Sequence, residues 1–218
     1  MNKISQRLNI IFSQIPPCQK FADVGCDHGY ISLKMLQENR CKSLIFSDVS
    51  APSLEKAKIL LAEYKNAKGV LCDGLDLVDT DCDCVLIAGM GGENVIGILS
   101  KSFLPKTLVL QPMKNVDKLR AFLIEKGYKI EKDFLFKAEG KFYNLIVATL
   151  GQDGLTEEEI IYGRDNLKNP SKDFLEFLEN KINKNKEILG GLSGEKFTEI
   201  NDQVTREFAL YERLRTKR

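Results

Sequence analysis

The sequence holds a single histidine, His28, and no Cys-x-x-Cys pair. A structural zinc site, which draws on such pairs, is therefore not expected. There is also no run of about eighteen apolar residues, so no membrane-spanning helix is expected. Charge of one sign does not dominate: 32 Lys and Arg stand against 31 Asp and Glu. That balance excludes a uniformly basic body, the simplest footprint of a nucleic-acid binder, and leaves room for a local basic face. Residues 1–15 mix Lys3, Gln6, Arg7 and Asn9 with apolar residues and lack the apolar block and cleavage site of a secretory signal. A cytoplasmic chain is the expectation.

What is present is a chain of 218 residues, 43% hydrophobic and 29% charged. These values fit one domain, or one domain with a modest extension, and a sizeable core. Six cysteines fall at positions 18, 26, 41, 72, 82 and 84. Without an export signal they read as reduced, small packing residues, with Cys82 and Cys84 on one side of a strand. Apolar runs then alternate with helical patterns from about residue 20 to 127. Strands are expected over 20–26, 43–49, 69–72, 82–88 and 107–110. Helices are expected over 29–39, 52–65, 93–103 and 115–126, the last with Asn115 as its cap and Gly127 as its stop. Such repeats predict an α/β fold, a Rossmann-like doubly wound and mostly parallel sheet with helices on both faces.

Past Gly127 the rhythm changes. Residues 128–137 and 141–150 read as an antiparallel hairpin turning at Glu139-Gly140. Residues 155–167 read as a helix opened by a capping box, Thr156 with Glu159. Residues 172–189 and 195–215 each carry one apolar stripe: Leu175, Leu178, Ile182 and Leu189, then Phe197, Ile200, Val204, Phe208, Tyr211 and Leu214. They predict a C-terminal antiparallel helical hairpin, of coiled-coil type, projecting from the core. The division expected is a catalytic domain over 1–154 and a helical extension over 155–218.

The strongest chemical signal is Asp23-Val24-Gly25-Cys26-Asp27-His28-Gly29-Tyr30 at the end of the first strand. In doubly wound sheets, ligands bind outside the carboxyl ends of strands. Gly25 permits close approach to the backbone. The phosphate-cradling pattern Gly-x-Gly-x-x-Gly is absent, and Asp23 and Asp27 flank the turn instead. Carboxylates there suit a ligand with a cationic amino group, such as S-adenosylmethionine. Asp48 ends the second strand, where an acid commonly takes two ribose hydroxyls; a turn or helix-cap role before Pro52 is the alternative. Asp73-Gly74 follows the third strand, either as an acceptor for an adenine amine or as an Asp-Gly turn. Ala88-Gly89-Met90-Gly91-Gly92 ends the fourth strand with little side-chain wall, so a flat ligand can lie against backbone. Gln111-Pro112 ends the fifth.

These motifs resemble the bacterial tRNA (adenine-22-N1)-methyltransferase family. The resemblance is carried by Asp23 to Tyr30, by Ile87-Ala88-Gly89-Met90-Gly91-Gly92 and by Leu108-Val109-Leu110-Gln111-Pro112. The lead-in Ser5-Gln6-Arg7-Leu8 and the late Gly140-Lys141-Phe142-Tyr143 add to it. It covers the chain to about Gly163. The sequence departs from the family at Ser32, where a proline is usual, at Met113, where an asparagine is usual, and at Asp48, often a glutamate. The resemblance implies S-adenosylmethionine as cofactor, held by Asp23, Gly25, Asp48, Asp73, Gly74, Ala88, Gly89, Met90 and Gly91. It implies an acceptor pocket at Gly92, Gln111 and Pro112. Asp27, His28 and Tyr30 are the expected catalytic group, Tyr30 as an aromatic platform for an everted adenine.

Adenine N1 already owns an in-plane lone pair, and the Asp/Asn-Pro-Pro-aromatic motif of enzymes that attack exocyclic amines is missing. A ring nitrogen is thus the expected target. The expected partner is tRNA, bound in a salt-sensitive way. No obligate protein partner is evident, and a monomer is expected. Candidate basic patches are Lys3, Arg7, Lys114, Lys118, Arg120 and Lys141, and separately Arg206, Arg213, Arg215, Lys217 and Arg218. A methyltransferase acting on a small molecule, and a non-catalytic module that binds the same cofactor, are the competing readings.

Overall fold

Five strands run parallel in the sheet, and four of them come first in the chain. They are β1 (Cys18–Val24), β2 (Cys41–Asp48), β3 (Ala67–Leu71) and β4 (Cys84–Met90). With β5 (Thr107–Pro112) and the antiparallel pair β6 (Tyr128–Ala138) and β7 (Lys141–Leu150), they form one sheet in the order β3-β2-β1-β4-β5-β7-β6. This is a computed structural model, and it describes residues 4–216. Lys3, Lys217 and Arg218 lie outside the described residues.

Side chains of a strand alternate between faces, and here both faces are covered. Phe21, Phe46, Leu86 and Val109 pack under α1 (Gln6–Gln14), α2 (Tyr30–Gln37) and α3 (Ala51–Leu60). Ala22, Ile45, Val85 and Ile87 pack under α4 (Gly92–Ser100) and α5 (Val116–Glu125). That is why the central strands read as unbroken apolar runs. The order reverses between β1 and β4, so the crevice of a doubly wound sheet opens above their carboxyl ends. The hairpin turns at Glu139 and Gly140, both at positive φ (46° and 74°), the pairing that a two-residue turn requires.

Several expectations are corrected. The helix α1 was not anticipated; Ile11 and Phe12 are its buried residues. Cys82 and Cys84 do not share a side. Cys84 opens β4 and joins one core layer, while Cys82 sits in the preceding turn and joins the other. Asp83 between them takes the amides of Gln19 and Lys20, which redirects the chain. Asn115 precedes α5 in the left-handed region and makes no capping bond with its side chain. The helix expected over 155–167 is two pieces, α6 (Glu157–Tyr162) and α7 (Arg164–Lys168), broken at Gly163 (φ 88°, ψ 134°). Its capping box is present as expected, Glu159 N donating to Thr156 Oγ1 at 3.2 Å and Thr156 N to Glu159 Oε2 at 3.0 Å.

Two long helices, α8 (Lys172–Leu189) and α9 (Gly194–Arg215), pack antiparallel. Phe174, Leu178, Leu210 and Leu214 anchor their base on Leu135 of β6 and Leu167. Toward the connecting turn neither helix buries a residue, so the far end stands in solvent. The stripe of α9 is rotated from the expected one. Val204, Glu207, Leu210 and Leu214 are buried, while Phe197 and Phe208 are 40% and 47% exposed. Glu207 occupies the inward position because Lys181 of α8 pairs with it at 2.6 Å and Gln203 donates to it. Arg120 is likewise no surface base. It is 1% exposed, forked onto Asp133 of β6 at 2.7 and 2.9 Å, and donates to the carbonyls of Ile160 and Ile161.

Candidate functional site

The carboxyl ends of β1, β2, β3 and β4 open onto one cleft of about 750 Å³. Asp23 sits at its floor. It is buried, and Ser32 Oγ donates to its Oδ2 at 2.7 Å. Ser32 is the position where a proline is usual in the family the motifs resemble. Burial raises the Asp23 carboxyl to about 6; the Ser32 hydrogen bonds oppose the shift and the nearby Asp48 charge adds to it.

After β1 the chain makes a tight turn with Gly25, Asp27 and Gly29 all at positive φ. The amides of Gly25 and Cys26 both donate to the Ser47 carbonyl at 2.8 and 2.9 Å, which ties the turn to β2. Asp48 serves the turn as well. Its Oδ2 accepts from Asp27 N at 3.0 Å and its Oδ1 from Ser50 N at 2.8 Å. The turn role and a place on the cleft wall therefore coexist at Asp48. Asp27 Oδ2 lies 2.8 Å from His28 Nδ1. His28 stacks on Tyr30 with the two rings 2° from parallel and 5.6 Å between centroids. Burial and the charges of Asp23 and Asp48 push the Cys26 thiol far up, which disfavours its thiolate.

The cleft gathers Asp23, Gly25, Asp27, His28, Tyr30, Asp48, Asp73, Gly74, Ala88, Gly89 and Met90. Gly91, Gly92, Gln111 and Pro112 are not among the residues that line it. A side chain at Gly92 would overlap the Asn115 carbonyl, and Gly92 N donates to Lys114 O at 2.8 Å. Gln111 is fully buried and donates to Pro112 O at 3.1 Å.

Sequence reasoning did not single out Val49, Leu75, Asn94, Ile98 or Lys101 as cleft residues, and it named Arg7 in the lead-in motif and in a candidate basic patch but not in the cleft; all six line the cleft. Val49 follows Asp48 and is 75% exposed, an apolar side chain left open at a strand end. An apolar residue directly after a strand-end acid was the signal that could have found it. Nothing local to Arg7 placed its side chain in the cleft, because Gln111 and Tyr143, which hold it, come from β5 and β7. In all, five carboxylates (Asp23, Asp27, Asp48, Asp73 and Asp76) face two cations, Arg7 and Lys101. Such a cleft favours a cationic ligand on its acidic side.

Comparison with known proteins agrees with this geometry. A family model described as a methyltransferase domain matches residues 4–146. A Mycoplasma pneumoniae protein provisionally named a tRNA methyltransferase is 36% identical over 169 residues, covering 74% of this chain and 78% of that protein. The tRNA (adenine(22)-N(1))-methyltransferase of Bacillus subtilis is 25% identical over 221 residues, covering 95% of this chain and 93% of its own. The crystal structure of Streptococcus pneumoniae Sp1610, provisionally a tRNA (m1A22) methyltransferase, in complex with S-adenosyl-L-methionine superposes with a TM-score of 0.87. It is 25% identical, covering 96% of this chain and 100% of that one.

Proposed function

The chain belongs to the methyltransferase-domain family, and from that premise we propose that it methylates N1 of adenine 22 in tRNA with S-adenosylmethionine as donor. One observation carries the reading: acids from three adjacent strand ends meet a glycine-lined fourth in a single cleft. End-to-end similarity to a tRNA (adenine(22)-N(1))-methyltransferase directs it to that substrate.

The residues fit the cofactor. Asp23 and Asp27 would face its amino group, Asp48 its ribose hydroxyls and Asp73 its adenine amine. Val49, Leu75 and Ile98 offer apolar surface to a flat ring. When bound, the cofactor supplies an electrophilic methyl on a sulfonium. The rest of the task is positioning, which for an in-line displacement accounts for much of the rate. Adenine N1 needs no base to free its lone pair, so no side chain has to take a proton before attack. The methylated ring is a cation, and Asp27, paired with His28, is placed to stabilise charge that develops there. The stacked His28 and Tyr30 rings form the platform for the everted base. A tRNA substrate places the work in the cytoplasm.

The test is incubation of the purified chain with unmodified tRNA transcripts and labelled donor, followed by mapping of the modified base. Label at N1 of adenine 22 is the expected result. Transfer to a small molecule without RNA, or donor binding with no transfer to any RNA, would replace this reading by one of its competitors.

A further inference from the structure

A second cavity, of about 290 Å³, opens where α5, α6 and α8 meet β6 and β7, and it shares no lining residue with the cleft. Its aromatic walls are Tyr162 of α6 and Phe174 and Phe177 of α8; Leu135 of β6 adds apolar surface. The rings are fixed by their neighbours. Phe174 and Phe177 lie 20° from parallel, and Phe142 meets Phe177 edge-on with 5.6 Å between centroids. Lys181, itself paired with Glu207, stands 6.0 Å from the centroid of the Tyr162 ring.

Three polar groups line the same cavity, and their hydrogen-bonding capacity is not used up within the chain. Asn144 of β7 accepts from Arg120 Nη2 at 3.5 Å, and its amide nitrogen donates to no described residue. The Tyr162 hydroxyl has no hydrogen-bond partner among the described residues. Burial, with the charge of Glu207 added, raises it to about 12, so it keeps its proton at neutral pH. Asp117, in the first turn of α5, is exposed and forms no ion pair among the described residues. Donors and acceptors set among fixed rings match a flat heterocycle, whose face stacks while its edge is hydrogen-bonded. The volume is small for a ligand pocket and suits a single ring system.

The register of the sheet sets this cavity level with the cleft. Met90, which lines the cleft, pairs with Pro112. Leu110 pairs with Ile146, so two residues further along Pro112 comes beside Asn144, and Asn144 pairs with Leu135. From β4 to β7 is two strand spacings and to β6 three, roughly 10–14 Å. That equals about three to four stacked nucleotides of one strand, at about 3.4 Å each. A polynucleotide that delivers one base to the cleft therefore carries others within reach of the second cavity. We propose that the cavity takes a second, unpaired base of the tRNA, stacked on Phe177 with its edge toward Asn144, Asp117 and the Tyr162 hydroxyl. The α8 helix thereby takes part in substrate selection. This rests on the proposed tRNA substrate.

The test uses the full chain and compares the parent with Tyr162→Phe, which removes only the hydroxyl, and Phe177→Leu, which removes the ring face. The tRNA Kd is measured by filter binding, on intact tRNA and on a panel of synthetic tRNAs each abasic at one unpaired position. Melting temperature and donor Kd check that each variant folds and keeps its cleft. Both variants should bind intact tRNA about threefold or more weakly, the loss of one hydrogen bond or one stacking face. Donor Kd should stay within about twofold. One abasic position should weaken the parent about fivefold or more. On that tRNA alone the variants and the parent should bind alike, because the contact is already gone. Variants that match the parent on intact tRNA overturn the proposal. So does a penalty that persists on every abasic tRNA, which would make Tyr162 and Phe177 packing residues. Binding of free nucleosides that Tyr162→Phe abolishes, with tRNA binding unchanged, would assign the cavity to a free ring and also overturns it. Filter binding needs no turnover: a parent that binds tRNA and never methylates it loses the proposed function while this pocket is still tested, and a parent that binds no tRNA loses both.

Discussion

Asp23 is the residue on which the acidic cleft turns. Its ordinary carboxyl value is 3.8, and burial in the fold raises it to about 6. Between those values the folded chain binds the extra proton, so this group's contribution to stability is greatest below about pH 4 and falls as pH rises through 6. At pH 8 the ionised, buried carboxylate costs about 3 kcal/mol. Asp23→Asn keeps the oxygen that accepts from Ser32 and removes the charge. Its melting temperature, without ligand, should exceed the parent's at pH 8 and match it at pH 4, while donor affinity drops. Melting curves that run parallel from pH 4 to 8 would contradict the raised value. Tyr30 makes a different statement. If it carries the everted base, Tyr30→Ala forfeits a stacking contact of about 1–3 kcal/mol in the reaction of tRNA and leaves donor binding nearly intact. Single-turnover rates set beside donor titration separate the two, and equal rates for variant and parent would take Tyr30 out of the site.

Among the elements, the short helices α6 and α7 do more than connect. Asp165 accepts from Asp133 N, Asn166 accepts from Leu135 N, and Arg164 pairs with Asp153 at 2.9 Å. Together with the carbonyls that receive Arg120, they close the outer edge of the sheet. Gly163 makes this possible. At φ 88° it breaks the helix in a conformation that L side chains rarely adopt, and a Cβ there would sit 2.9 Å from both Arg120 Nη2 and Asp133 Oδ1. Gly163→Ala should therefore destabilise by about 2–4 kcal/mol, backbone strain and a crowded buried ion pair acting together. The urea midpoint reads this directly, and a shift equivalent to under about 0.5 kcal/mol would mean the break tolerates a side chain.

For the whole molecule, the question is where the catalytic unit ends. The base of the α8–α9 pair covers Leu135 and Leu167, whereas α6 and α7 satisfy groups of α5 and β6. A chain ending at Asn169 should still melt cooperatively and bind the donor, and should lose transfer to tRNA, whose recognition draws on surface beyond the pocket. A chain ending at Gly154 opens the Arg120–Asp133 pair to water and strips it of its carbonyl acceptors. Disturbing a buried pair in this way costs about 3–5 kcal/mol, and near-UV circular dichroism should show that packing is lost. Equal melting of the two truncations would contradict this division.

By itself the sequence determined the doubly wound sheet, the closing hairpin and the acidic side of the cleft. Each of these is written locally: strands buried on both faces read as runs such as Val85-Leu86-Ile87, positive φ at Glu139 and Gly140 calls for turn residues, and the cleft acids sit at strand ends where ligands bind. Tertiary structure alone decided that Arg120 is buried, that Glu207 belongs to an inward stripe, and that Arg7 lies in the cleft. The partners that decide them stand 13, 26 and 104 positions away in the chain. A charged side chain read alone has a solvated surface as its default. Only the partner that folding brings to it settles whether it is buried, paired or left facing a ligand.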